Sequence, residues 1–193
     1  MRAINLRDII LGGDTMYWRI RSDYAHYRML LDSGNVYGSQ DYLEMVPDVH
    51  IDQDELIFKL SDQRDLPTSD FFLTSHSGIL FAKKEVFSFF TKEIEKSRHR
   101  FYSGKYDGGD LNILCIFEEV GGFDFRRSVY KLFDDADIES IRKLTVVETF
   151  HTDLDIFRLN DNFGVRFDLI VSDAFKKKYD DNNLTGLVFL EAM

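Results

Sequence analysis

Between Leu169 and Phe189 the chain spells out a short apolar run, a polar-started amphipathic segment, a turn and a second apolar run. The order specifies a strand, a helix and a strand. "FDLIV" is the first strand, Ser172 is placed as helix N-cap with Asp173 in the first turn, and Phe175 and Tyr179 share one helical face. Asn182 or Asn183 can take the left-handed conformation that ends a helix, and Gly186 lets the chain turn into "LVFLEA". Such a unit is expected at a sheet edge, docked on a core.

The same grammar occurs earlier. "DFF" followed by "GILFAKKEVFSFF" parallels "DIF" followed by "DLIVSDAFKKKY", each setting an Asp-aromatic strand ahead of a loop, a second strand and an amphipathic helix. This reads as a weak internal duplication. In the first copy Ala82 is aligned with Ser172, so the first helix lacks that cap. Its Val86, Phe87, Phe90 and Ile94 form an apolar stripe of the core-facing kind.

Elsewhere the apolar segments are short. "MYWRIRS" alternates, as do Leu56, Phe58 and Leu60, and "LNILCIFEEV", "KLTVVETF" and "LDIFRL" read as strands. The segment around Tyr24, Tyr27, Leu30 and Leu31 fits a short helix or an irregular packed stretch, "YSGKYDGGD" reads as a loop, and the acidic run after Phe133 as a short helix. The fold class expected is α+β, a mixed and largely antiparallel sheet with a few packed helices. Two prolines and no Gly/Ser-rich linker leave residues 1–65 and 66–193 sharing one core as a single domain, with Met1 or Met16 as the start.

Eighteen Phe residues supply a bulky core without disulfides, and the single Cys115, set in "LNILCIFEE", reads as a packing residue. Arg7 and Asp8 interrupt any signal-peptide core, and no run reaches the ~20 apolar residues of a membrane span. The expectation is a soluble cytoplasmic protein, with no membrane among its partners. A net charge of −10 argues against nucleic acid, whose binding requires Lys and Arg to displace counterions.

No catalytic motif stands out. The glycine doublets lack the third glycine or the Lys-Ser/Thr of a phosphate loop, and no serine sits in a nucleophile elbow. In "HTDLD", His151, Asp153 and Asp155 alternate as if on one side of a strand, yet one strand supplies neither a closed metal site nor its supporting bonds. No catalytic residue, metal or cofactor is therefore assigned. In "FDFRRS", Arg126 or Arg127 is expected to pair with Asp124 or with a carboxylate on another strand. Two acidic groups remain as candidate partner contacts: Asp48, Asp52, Asp54 and Glu55, and Asp134, Asp135, Asp137 and Glu139.

The order "LNILCIFEEVGGFDFRRS", an aliphatic strand, "DIFRL" and "LIVSDAFKKKYDDNNLTGLVF" resembles a family of bacterial immunity proteins of polymorphic toxin systems. Those proteins close on a strand, a Ser-Asp/Glu helix start and a Leu-Thr-Gly-Leu-x-Phe ending, and "LPTSDFFL" and "GILFAKKEVFSFF" form the weaker first part of the match. The resemblance implies a cognate toxin as partner, basic where this chain is acidic, and inhibition by binding without catalysis. Alternatives are a small enzyme with a pocket around His151, Asp153 and Asp155, or a scaffold protein of a secretion or phage system.

Overall fold

A computed structural model describes residues 16–32, 56–62, 65–73, 78–132, 138–148, 150–160 and 166–192. Among them the chain is mixed α+β, with sheets that are mostly antiparallel, as the sequence leads one to expect. In chain order the main strands are β1 (Tyr17–Ser22), β2 (Leu30–Asp32), β3 (Phe58–Leu60), β4 (Phe71–Leu73), β5 (Ile79–Lys83), β6 (His99–Tyr106) and β7 (Gly109–Ile116). There follow β8 (Glu119–Gly121), β9 (Val129–Leu132), β10 (Ile138–Lys143), β11 (Ile156–Asn160), β12 (Arg166–Ser172) and β13 (Leu187–Glu191). A 3-10 helix, Val86–Phe90, runs into α1 (Thr91–Glu95), and α2 spans Asp173–Asp181.

Two sheets carry the architecture, one ordered β4-β5-β7-β6 and the other β13-β1-β12-β11-β8. Leu80 and Ala82 of β5 and Leu169 and Val171 of β12 meet Val86, Phe87, Phe90, Ile94, Phe175 and Tyr179 in one shared core. The alternate residues face outward and are buried too. Ile79 and Phe81 pack with Leu30, Leu56, Phe58 and Leu60 around β2 and β3, while Ile170 and Phe157 pack with Phe123, Ile141, Leu144 and Val146. Burial on both faces is why "ILFA" and "LIV" are unbroken apolar runs and not alternating ones.

The internal echo is larger than the sequence suggested. The neighbours β4-β5-β7-β6 and β11-β12-β1-β13 have the same order, and every adjacent pair in both sets is antiparallel. Their linking bonds correspond: Lys83 N–H donates to Asp70 C=O at 3.0 Å as Ser172 N–H does to Asp155 C=O at 3.0 Å. Likewise Phe117 N–H donates to Arg98 C=O (2.8 Å) and Asp23 N–H to Gly186 C=O (3.0 Å). Followed along the chain, β1 to β6 is one repeat and β7 to β13 the next. Each repeat places its first strand, β1 or β7, in the sheet of the other.

This register corrects one expectation. Lys83, not Ala82, stands where Ser172 stands, because Phe71 pairs with Ala82 as Ile156 pairs with Val171. The first helix does lack a side-chain cap and begins as 3-10 turns at Glu85. Ser172 accepts a bond from Phe175 N–H at 3.3 Å, and α2 ends with Asn183 at φ 51°.

Other expectations change as well. "YSGKYDGGD" is no loop but the turn half of the β6–β7 hairpin, in which Tyr106 pairs with Gly109. Gly104 there is a close backbone approach, since a Cβ would lie 2.9 Å from Leu56 C=O. The stretch expected to be helical after Phe133 includes strand β10, paired with β9, whereas "KLTVVETF" beyond Lys143 contributes only an isolated bridge, Phe123 to Val146. The Tyr24 segment is a turn leading into β2, and Cys115 is buried.

Candidate functional site

The acidic residues Asp48, Asp52, Asp54, Glu55, Asp134, Asp135 and Asp137 lie outside the described residues, and of their group only Glu139 has a described backbone, in β10. His151, Asp153 and Asp155 do not alternate on one strand, because β11 starts only at Ile156. His151 and Asp153 are exposed on the approach to it. Asp155 is buried and committed: it accepts from Ser172 Oγ at 2.5 Å and from Lys96 Nζ at 2.6 Å. That bond holds Lys96 above its ordinary pKa.

Asp155 therefore joins the repeats, Lys96 coming from the end of α1 in one and Ser172 from the start of α2 in the other. Ser97 Oγ adds a short bond to Ile156 C=O. Asp70 occupies the matching place. It accepts from Thr185 Oγ1 at 2.7 Å, Thr185 N–H at 3.1 Å and Lys83 Nζ at 3.0 Å. Burial pushes the Asp70 carboxyl up, but the Thr185 hydroxyl and the Lys83 ammonium outweigh it and leave the group below its ordinary value.

A depressed carboxylate stabilises the fold above the unfolded pKa of ~3.9 and loses that contribution as pH falls through the folded value. Urea midpoints measured below pH 4 should thus fall less steeply for Asp70→Asn than for the parent chain. Equal slopes would remove Asp70 from the account. For Ser172→Ala, loss of the cap predicts about 1–2 kcal/mol of destabilisation. At about 2–4 °C of melting temperature per kcal/mol for a chain of this size, calorimetry resolves it, and an unchanged midpoint counts against the cap.

"FDFRRS" is a turn fastener. The Asp124 carboxylate accepts from the backbone N–H of Arg126 (2.9 Å) and Arg127 (3.1 Å), and Arg127 pairs with Glu148 at 3.3 Å. Two arginines have no role assigned from the sequence. Arg19, buried on β1, donates to Ile141 C=O at 2.9 Å and anchors β10. Arg158, 2% exposed on β11, lays its guanidinium against Gly78, where a Cβ would come within 2.9 Å of it. Arg19 sits inside an alternating strand pattern and Arg158 inside a strand buried at four consecutive positions, so only their charge at an inward position signalled them.

These polar groups hold the fold together, which leaves the surface around β1, β13 and α2 as the candidate contact face. Among the described residues β13 pairs only with β1, and its sequence, Leu187 to Glu191, carries no lysine, proline or glycine to guard the edge. Val188 and Leu190 are each 37% exposed on one side of it. On the other side Phe189 and the half-buried Trp18 flank Lys176, whose Nζ lies 5.4 and 5.2 Å from their ring centroids. Trp18 Nε1 donates to Asp173 at 2.6 Å, and Lys176 and Lys177 pair with Asp180 and Asp181. Aromatic anchors, an apolar edge and rim carboxylates are the parts of a protein-binding surface.

Among the described residues no group of three or more His, Cys, Asp or Glu side chains is placed to hold a metal ion. No helix there is long and apolar enough to cross a membrane. The chain matches no protein-family model and no curated protein.

Proposed function

We propose that this protein is an immunity protein, binding and neutralising a cognate toxin in the cytoplasm by protein–protein contact and without catalysis. The observation that carries the reading is the β13 edge, an apolar strand with aromatic anchors at its side and carboxylates at its rim. A strand or loop of the toxin adds to that edge through backbone hydrogen bonds, and side-chain contacts along Val188 and Leu190 set the register. The net charge of −10 steers a basic toxin toward the chain, with the groups Asp48 to Glu55 and Asp134 to Glu139 as further contacts.

Co-expression with the toxin encoded by the neighbouring reading frame tests the proposal. Growth arrest should be relieved by this chain, with a complex recovered on purification, whereas arrest that it neither relieves nor binds defeats the reading. Within that assay Leu190→Lys, which places a charge on the edge strand, should weaken neutralisation while leaving the melting temperature nearly unchanged. Full protection by that variant would move the contact face away from β13. Charge reversal of the two acidic groups provides the parallel test for them.

A further inference from the structure

We infer that this chain is a fused pair of strand-exchanged subunits, and that the surface each repeat offers the other fits equally well the corresponding repeat of a second copy of this chain. The two repeats share the order β4-β5-β7-β6 and β11-β12-β1-β13, with first strands exchanged. Polar bonds cross the junction at matching places, with different donors. Asp70, ahead of β4, is held by Thr185, ahead of β13, while Asp155, ahead of β11, is held by Lys96, and Ser97, ahead of β6, bonds Ile156. The shared core draws on matching positions of both repeats, Val86 and Phe90 in one and Phe175 and Tyr179 in the other, with Phe90 stacked on Phe175 at 4.3 Å. An arrangement in which each half gives the other the same strand in the same sheet order is that of a two-fold dimer.

One turn joins this pair into one chain, and a second place corresponds to it. One is the β6–β7 turn, Asp107-Gly108, between the paired residues Tyr106 and Gly109. The other is the approach of β13 to β1, where Trp18 pairs with Glu191 and Ala192 N–H donates to Tyr17 C=O at 3.0 Å. The covalent link at the first is therefore exchangeable. Removing Asp107 and Gly108 bonds Tyr106 directly to Gly109, so the hairpin closes within one chain only by giving up its terminal pairs, and keeping all of them requires the two strands to run on as one. His99 to Ile116 then becomes one continuous strand, which pairs antiparallel with its counterpart in a second copy and rebuilds every contact between repeats.

The test is the full-length chain lacking Asp107 and Gly108, studied by size exclusion with light scattering, far-UV circular dichroism and thermal unfolding. The expected result is a twofold rise in mass with parental circular dichroism and a single unfolding transition. A folded monomer overturns the inference. Should the deletion variant precipitate, a permutant that keeps all residues, 108–193 followed by 1–107, decides the matter. Parental circular dichroism and cooperative melting of that permutant support equivalent closures, and an unfolded permutant overturns them.

Discussion

Phe71→Ala is expected to lower the unfolding free energy by about 3–5 kcal/mol, the range for truncating a fully buried phenylalanine that leaves a cavity. Phe71 is 0% exposed and lies at the junction of the repeats. Its ring meets Phe87 and Phe90 edge-on at 5.8 and 5.7 Å, stacks near Tyr179 at 5.9 Å and tilts against Phe175 at 6.5 Å. The neighbours belong to both helices, so no single element can collapse into the space. Such a loss is a large part of the 5–15 kcal/mol that ordinarily separates folded from unfolded domains. Urea unfolding followed by tyrosine and tryptophan fluorescence measures it, and a loss below about 1 kcal/mol would show that the two layers repack freely.

The second large effect is at Gly186, for a different reason. Its φ of +102° is one that side chains rarely adopt, and a Cβ there would come 2.1 Å from Phe71 C=O and 2.6 Å from Ser69 Cβ. The obstacle is backbone, held in place by Phe71 N–H donating to Thr185 C=O at 3.0 Å. Gly186→Ala is therefore expected to cost about 2–4 kcal/mol through backbone strain and forced separation of the strands. Because the distortion lies beside Thr185, the acid sensitivity supplied by Asp70 should shrink in the same variant. An alanine variant as stable as the parent would place Gly186 in the turn without constraint.

At high pH Tyr179 adds a smaller signature. Burial pushes its phenol up to about 12, against ~10 in the unfolded chain, so stability present below pH 10 is lost as pH rises through the folded value. Its hydroxyl also accepts from Leu187 N–H at 3.1 Å, tying α2 to β13. In Tyr179→Phe the alkaline decline between pH 10 and 12 should flatten, which midpoints across that range will show.

The closing strand, helix and strand were legible in the sequence because their signals are local. Ser172 needs only the next few residues to cap a helix, Asn183 and Gly186 need only their own backbone angles, and Phe175 and Tyr179 need only helical spacing. Leu56, Phe58 and Leu60 announced a strand in the same way. Where the reading failed, the deciding partner was distant. Gly104 looks like a turn residue until Leu56 C=O lies against it, and the residues of β10 look helical until β9 pairs with them. "HTDLD" suggested one ligand face, but Ser172 and Lys96 claim Asp155 from other elements.

Sequence alone determined the class of the fold, the terminal unit with its cap and turn, the burial of Cys115 and the recurrence of the Asp-aromatic strand pattern. Tertiary structure decided which strand completes which sheet. Nothing local distinguishes β1 in its own repeat from β1 in the other, since its hydrogen-bonding pattern and side-chain alternation suit either. The choice is made by long-range closure: Ile20 and Leu114 each enter the shared core from their exchanged positions, and Asp70 and Asp155 each find one partner across the junction. Register follows from the same closure, which is why Lys83, one residue beyond the alignment drawn from sequence, is the counterpart of Ser172.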